Sequence, residues 1–293
     1  RVIGTVPVED AATKAVRPVA NDQILHQGMI VRTGENSSVV HLFSNGASIS
    51  LDHTSDLNID TFTQDPFYGA FSPSTATEEP SASITSIKLT RGELVGNVKK
   101  LKTTAGSKFT VGTPVGAVGI RGTTFRIVYR PSGNGQAFNF VMTTIEGNVE
   151  VQIASGTVAA PPVAVTDNKE IVINNVEVNA ATNELTITTA NNQVVNVAAA
   201  PPPVVNDAPV TTVQQVQVVA QNIAQTLATT VFTAPTTSAP ATTGSGSNGS
   251  GGNAGGGTNG TNGNTTDPNA NGGTNNNSNS GTNQNSGGTN KNN

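Results

Sequence analysis

The sequence predicts an all-β protein, and three observations carry that prediction. Between residues 37 and 197 short apolar runs recur about every 8 to 12 residues, the spacing of strands in a sandwich, barrel or solenoid. The 293 residues include 31 Gly and 16 Pro but only 4% aromatics, a composition rich in turns. No helical pattern of 10 to 15 residues alternates with the apolar runs, so nothing supports a parallel α/β sheet. We therefore expect a β-solenoid, a β-roll or a sandwich-like domain, followed by a short β extension, one amphipathic helix and a low-complexity tail.

The elements follow in order. Residues 37–51 read as a hairpin joined through Asn45-Gly46, with Val40 and Leu42 on one face and Ile49 and Leu51 continuing it. Further strands are expected at 84–89, 94–101, 108–112, 117–120, 124–129, 137–145 and 148–153, then at 170–173, 176–178, 184–189 and 193–197. Asn174-Asn175 and Asn191-Asn192 read as turns within that second group. Pro201, Pro202 and Pro203 favour polyproline II, which makes 198–207 a semi-rigid linker. After Pro209, the residues Val213, Val216, Val219, Ile223 and Leu227 fall at spacings of three and four, the stripe of a helix of about four turns that docks on the sheet. The last 50 residues hold 15 Gly and 16 Asn and only two charges, Asp267 and Lys291. Such a segment has no burial to offset its ordering entropy and is expected to be a flexible tail, with Asn ladders between chains as the alternative. The boundaries are thus 1–155, a main β domain; 156–200, a β-rich extension; 201–243, a Pro-rich linker with the helix; and 244–293, the tail.

One stretch is more specific than its composition. Phe109-Thr-Val111-Gly-Thr113-Pro114-Val-Gly116 leads through a short apolar strand into Arg121-Gly122-Thr123-Thr-Phe125-Arg-Ile127, and Glu146-Gly147-Asn-Val149-Glu-Val151 follows. This order of motifs resembles the core signature of FecR-domain proteins, with Ile127 where the pattern has Val. The resemblance extends over about residues 2–155, and Leu94 to Lys100 is similar to a version found in large exported bacterial proteins. It implies a non-enzymatic, extracytoplasmic protein. The signalling members of that family need an N-terminal helical segment and a membrane helix, so a transducer role is not expected here. Since the chain starts at Arg1, removal of a secretory signal is expected.

Locally, Thr113-Pro114 fixes an extended entry, Gly116, Gly119 and Gly122 permit tight turns, and Phe125 and Ile127 alternate into the core. Arg121 is expected to hydrogen-bond turn carbonyls. The glycine spacing matches no phosphate-binding loop. With no Cys, there are no disulfides, thiolate metal sites or cysteine nucleophiles. The three histidines His26, His41 and His53 form no catalytic or metal spacing: His41 reads as a strand-face residue, and His53 beside Asp52, Asp56 and Asp60 reads as a solvated acidic turn. No catalytic residue, metal or cofactor is expected, and the chain is read as no enzyme.

Charge is arranged in blocks. Residues 1–87 carry 4 basic and 10 acidic side chains, 88–130 carry 9 basic against Glu93 alone, and 131–243 carry 1 basic against 7 acidic. The simplest reading pairs basic strands with acidic ones in the same sheet. Lys99, Lys100, Lys102 and Lys108 are candidate contacts for a polyanion or a second subunit, since opposed charge blocks also allow head-to-tail association. The leading expectation is a self-assembling surface filament or matrix subunit whose partner is itself. The alternatives are a periplasmic FecR-type signalling or binding module that meets an envelope protein, and a binder of polysaccharide or another polyanion. Neither a nucleic-acid partner nor a membrane span is expected, because no apolar run reaches about 18 to 20 residues.

Overall fold

A computed structural model describes residues 1–233 except 133–136, 180, 183 and 190. The tail predicted at 244–293, with the end of the expected linker region, lies outside the described residues. All described elements fall in one compact unit, Arg1–Thr237.

The chain runs through β1 (Val2–Ile3), β2 (Pro7–Asp10), β3 (Val16–Pro18), β4 (Met29–Arg32), β5 (Ser38–Leu42), β6 (Ser48–Leu51), β7 (Asp56–Gln64) and β8 (Ala70–Phe71). A 15-residue strand, β9 (Ser83–Asn97), is followed by β10 (Lys108–Thr113), β11 (Gly116–Ile120), β12 (Thr124–Ser132), β13 (Ala137–Glu146) and β14 (Val149–Ser155). The last elements are β15 (Val158–Ala159), β16 (Val163–Val165), β17 (Lys169–Val178), β18 (Leu185–Thr188), β19 (Val194–Asn196), β20 (Asn206–Asp207), α1 (Val210–Thr226) and β21 (Phe232–Thr233).

The architecture follows from β9. Its first half pairs with β7 and β10, and its second half pairs with β6 and β12. One open sheet is thereby folded into two leaves that face each other. The first leaf runs β3, β2, β4, β7, β9, β10, β11, β14, β16, and the second runs β1, β5, β6, β9, β12, β13, β17, β18, β19. Strand pairs are antiparallel except β9 with β10, which run parallel because the chain returns from the end of β9 to its start through residues 98–107. Each leaf sends an apolar row inward. In the first, Ile59, Ile87, Val111, Val118 and Val151 stand side by side across five strands, each at most 3% exposed. In the second, Leu51, Leu94, Ile127, Met142 and Ile171 do the same at 1% or less. Both rows belong to one hydrophobic cluster. The sandwich-like expectation therefore describes this fold better than a solenoid.

The helix stripe is borne out. Val216 and Ile223 are buried, and Val213, Val216 and Val219 pack on Val95 and Ile145, on the outer side of the second leaf. Three local expectations are corrected. The hairpin of β5 and β6 turns through three residues, Ser44 to Gly46, and pairs Val39 with Leu51 and His41 with Ile49. Ile49 and Leu51 thus share the inner face with Val39, not with Val40 and Leu42, because an odd loop shifts the face parity by one. Asn174-Asn175 is no turn: β17 is continuous, and the register slips at Asn175, whose φ is +55°. Residues 84–89 and the start of 94–101 are one strand.

Candidate interaction surface

The signature residues divide into core and joints. Phe109 and Phe125 are at most 1% exposed, and Phe125 fills the space that Gly96 leaves open. Thr113 donates its Oγ1 hydrogen to Gly116 O at 3.0 Å, closing the β10–β11 hairpin around Pro114. Gly116 lies against β14 so closely that a Cβ would stand 2.0 Å from Gln152 O. At the other end of these strands, three turns stack. A Cβ on Gly122 would meet Lys100 Cα at 2.8 Å, a Cβ on Gly147 would meet Gly122 O at 2.8 Å, and Val98 N donates to Thr123 O at 2.9 Å. Gly147 N donates in turn to Asp167, while Glu146 is exposed. Arg121 departs from expectation: its guanidinium bonds Glu150 on the neighbouring strand at 2.9 Å and its side chain is 64% exposed, so its donors meet a carboxylate and solvent.

The stacked turns carry the lysine loop, and a buried carboxylate anchors it. Glu79 is 2% exposed. It accepts hydrogen bonds from Lys102 N at 2.7 Å and Ser83 Oγ at 2.6 Å, and its own N–H donates to Lys100 O at 3.2 Å. Ser83 also receives the side-chain amide of the buried Asn45 at 3.0 Å. Asn45 in the first hairpin, Glu79 in the loop after β8 and the 98–107 loop are thereby tied into one end of the sandwich. Buried polar groups linked in this way hold a loop in one conformation, because releasing any one of them leaves the others unpaired.

At this end, Lys100 pairs with Glu78 at 3.0 Å. Lys99, Lys102 and Lys108 form no ion pair among the described residues. Lys99 is half-buried, and the loss of hydration lowers its pKa. Its stem lies over Gly46 together with the Phe71 ring. Phe71 meets Phe67 edge-on at 6.1 Å, and Tyr68, at the tip of the same loop, is 94% exposed. Sequence reasoning did not find this aromatic loop or Glu79. The run Phe67-Tyr68-Gly69 carried the only available signal, an aromatic pair at a turn glycine.

Apart from Lys88, which is exposed and forms no ion pair among the described residues, the rest of the basic block is spent within the chain. Arg126 forks onto Glu93 at 2.6 and 3.1 Å, Arg130 reaches Asp52 at 2.7 Å, and Arg91 reaches Asp56 at 3.6 Å. With Lys100 and Arg121, five of the nine basic side chains pair with acidic ones, as the simplest reading of the charge blocks expects. His53 takes part in the Arg130 cluster, with Nε2 3.2 Å from the guanidinium. Among the described residues, no group of three or more metal-ligating side chains comes together, and no helix is long and apolar enough to cross a membrane.

Residues 29–159 match the FecR protein family. Two crystal structures of a candidate anti-sigma factor from Parabacteroides distasonis, at 2.50 and 1.65 Å resolution, are similar to this chain with TM-scores of 0.40 and 0.41 and 14% identity. The similarity covers 63% and 66% of this chain and 62% and 64% of those chains, so this chain spans under two thirds of their length. No curated protein matches.

Proposed function

We propose, from the match of residues 29–159 to the FecR protein family, that this chain is a non-enzymatic, extracytoplasmic signalling or binding module of the FecR type that docks on an envelope protein. The observation that carries the proposal is the loop end of the sandwich. An exposed Tyr68 stands on a loop braced by Phe67 and Phe71, Phe71 meets the Lys99 stem over Gly46, and Lys102 in the 98–107 loop and Lys108 at the start of β10 lie at the same end of the sandwich; the three lysines form no ion pair among the described residues. Tyrosine next to free cations is the composition of an interface centre with an electrostatic rim, and it suits an acidic partner surface.

The filament expected from the charge blocks draws no support from the described residues. Its head-to-tail attraction required opposed blocks facing outward, and five of the nine basic side chains are neutralised inside the chain. The polyanion reading retains Lys99, Lys102 and Lys108.

The test is capture from an envelope extract with a photo-crosslinker at Ala70, followed by mass spectrometry. A single protein captured by the parent chain and lost in Tyr68→Ala and Lys102→Glu supports the proposal. Capture unchanged by both substitutions, or replaced by salt-sensitive binding to anionic polysaccharide alone, would overturn it.

A further inference from the structure

A second feature lies between the two leaves, next to the loop end. Between β5 of one leaf and β7 of the other is a cleft of about 590 Å³, covered by the strap of residues 19–27 and by the chain after α1. Leu25, Phe43, Phe62 and Phe232 give it apolar lining, and Arg1, Asp22 and His26 add charged and polar groups at its wall. Phe43 and Phe62 hold one another at 5.3 Å between ring centroids. His41 forms the floor. It stands on the inner side of β5 between Val39 and Phe43, and its ring meets Phe43 edge-on at 4.5 Å.

The state of that imidazole specifies what would complete it. Burial pushes its pKa down to about 4, with the nearby terminal ammonium adding to the fall, so it is neutral at neutral pH. It nevertheless keeps some exposed surface, because the cleft reaches it. Among the described residues no protein group hydrogen-bonds either ring nitrogen. A neutral imidazole offers one donor and one acceptor, so it matches an uncharged hydroxyl, N–H or carbonyl. The volume is that of ordinary small-molecule sites, which combine apolar walls with a few placed polar groups.

We propose that this cleft binds a small apolar molecule carrying one uncharged hydrogen-bonding group, which His41 receives at the floor. Phe232 of the cleft pairs with Phe71 beside the loop end, but indole binding in the cleft and partner capture at Tyr68 are read separately, so the FecR-type reading stands or falls without it.

Indole and 1-methylindole test the proposal, since they share a ring and differ in one N–H. The chain has no Trp, so indole emission is read without background. Expected are saturable binding with a blue shift and about tenfold tighter binding of indole, the factor that 1.4 kcal/mol gives. His41→Leu should erase the preference while keeping binding, and Leu25→Glu should remove binding of both probes, with far-UV circular dichroism showing that each variant is folded. No saturable binding to the full chain would overturn the site. Equal affinities in the parent chain, or a preference that survives in His41→Leu, would overturn the role of the imidazole.

Discussion

Replacing Gly96 by Ala tests how the second leaf is packed. A Cβ at Gly96 would stand 2.4 Å from Phe125 Cζ and 2.6 Å from Cε1, well inside contact distance. The ring is wholly buried, and Gly96 is paired with both Ile49 and Phe125 in the ladder, so neither side can yield freely. Gly96 is not in a left-handed conformation, so the cost is steric and not conformational. Overpacking of this kind costs about 1 to 3 kcal/mol. Expelling the ring altogether would cost more, about 3 to 5 kcal/mol by comparison with Phe→Ala in cores. We expect Gly96→Ala to lower the urea midpoint at unchanged slope, by about 2 kcal/mol. Phe125→Leu should cost a similar amount alone, and the double variant should be more stable than the two losses added together, because the smaller side chain makes room for the methyl. A neutral Gly96→Ala, or strictly additive losses, would refute the claim that glycine is required by the ring.

Acid should weaken the fold through His41. Its folded pKa, about 4, lies below the ordinary 6.5, so the unfolded chain binds the proton more readily and stability present above pH 6.5 is lost as pH falls toward 4. The full loss is about 3 kcal/mol, and a His41→Leu chain should show a flatter profile between pH 6.5 and 4 in thermal melts. Glu93→Gln should cost about 1 to 2 kcal/mol, since it leaves Arg126 without its carboxylate and Arg130 with one fewer; loss of the salt dependence of melting would accompany it. Val216→Asp should release α1 from the sheet, seen as faster hydrogen exchange at Val95 and Ile145 while the inner rows stay protected.

Much of the fold was legible because its signals are local. Alternation marked most of the strands, and the three-and-four spacing of Val213, Val216, Val219 and Ile223 marked the helix and its docking face. What escaped were relations between distant segments. Nothing in residues 84–97 announces that one strand serves two leaves, since alternation is the same whichever sheet a strand joins. The face of Ile49 and Leu51 depended on one residue of loop length. The candidate surface was half legible: the lysines stood out by their density, but which of them are neutralised depends on acids far away in sequence, such as Glu78 for Lys100. Glu79 and His41 are ordinary as residues, and their burial is decided by what folds over them.

The family match ends at residue 159, yet the folding unit does not. Strand β17 lies beside β13 and supplies Ile171, Ile173 and Val176, each at most 8% exposed, and β18 adds Leu185 at 8%. Burying one such side chain is worth about 1.5 to 3 kcal/mol, so these four contribute about 6 to 12 kcal/mol before any entropy is counted. That is the whole net stability of a typical domain. Removing residues 160–233 would also strip α1 from Val95 and Ile145 and leave the inner side chains Phe140 and Met142 on an open edge strand. A chain ending at residue 159 should therefore fail to fold cooperatively, whereas one ending at residue 237 should melt as the parent does. A cooperative transition in the shorter chain would mean that the first leaf without β16, with the half of the second that lies before residue 159, is sufficient, and that the extension is attached to the domain and does not complete it.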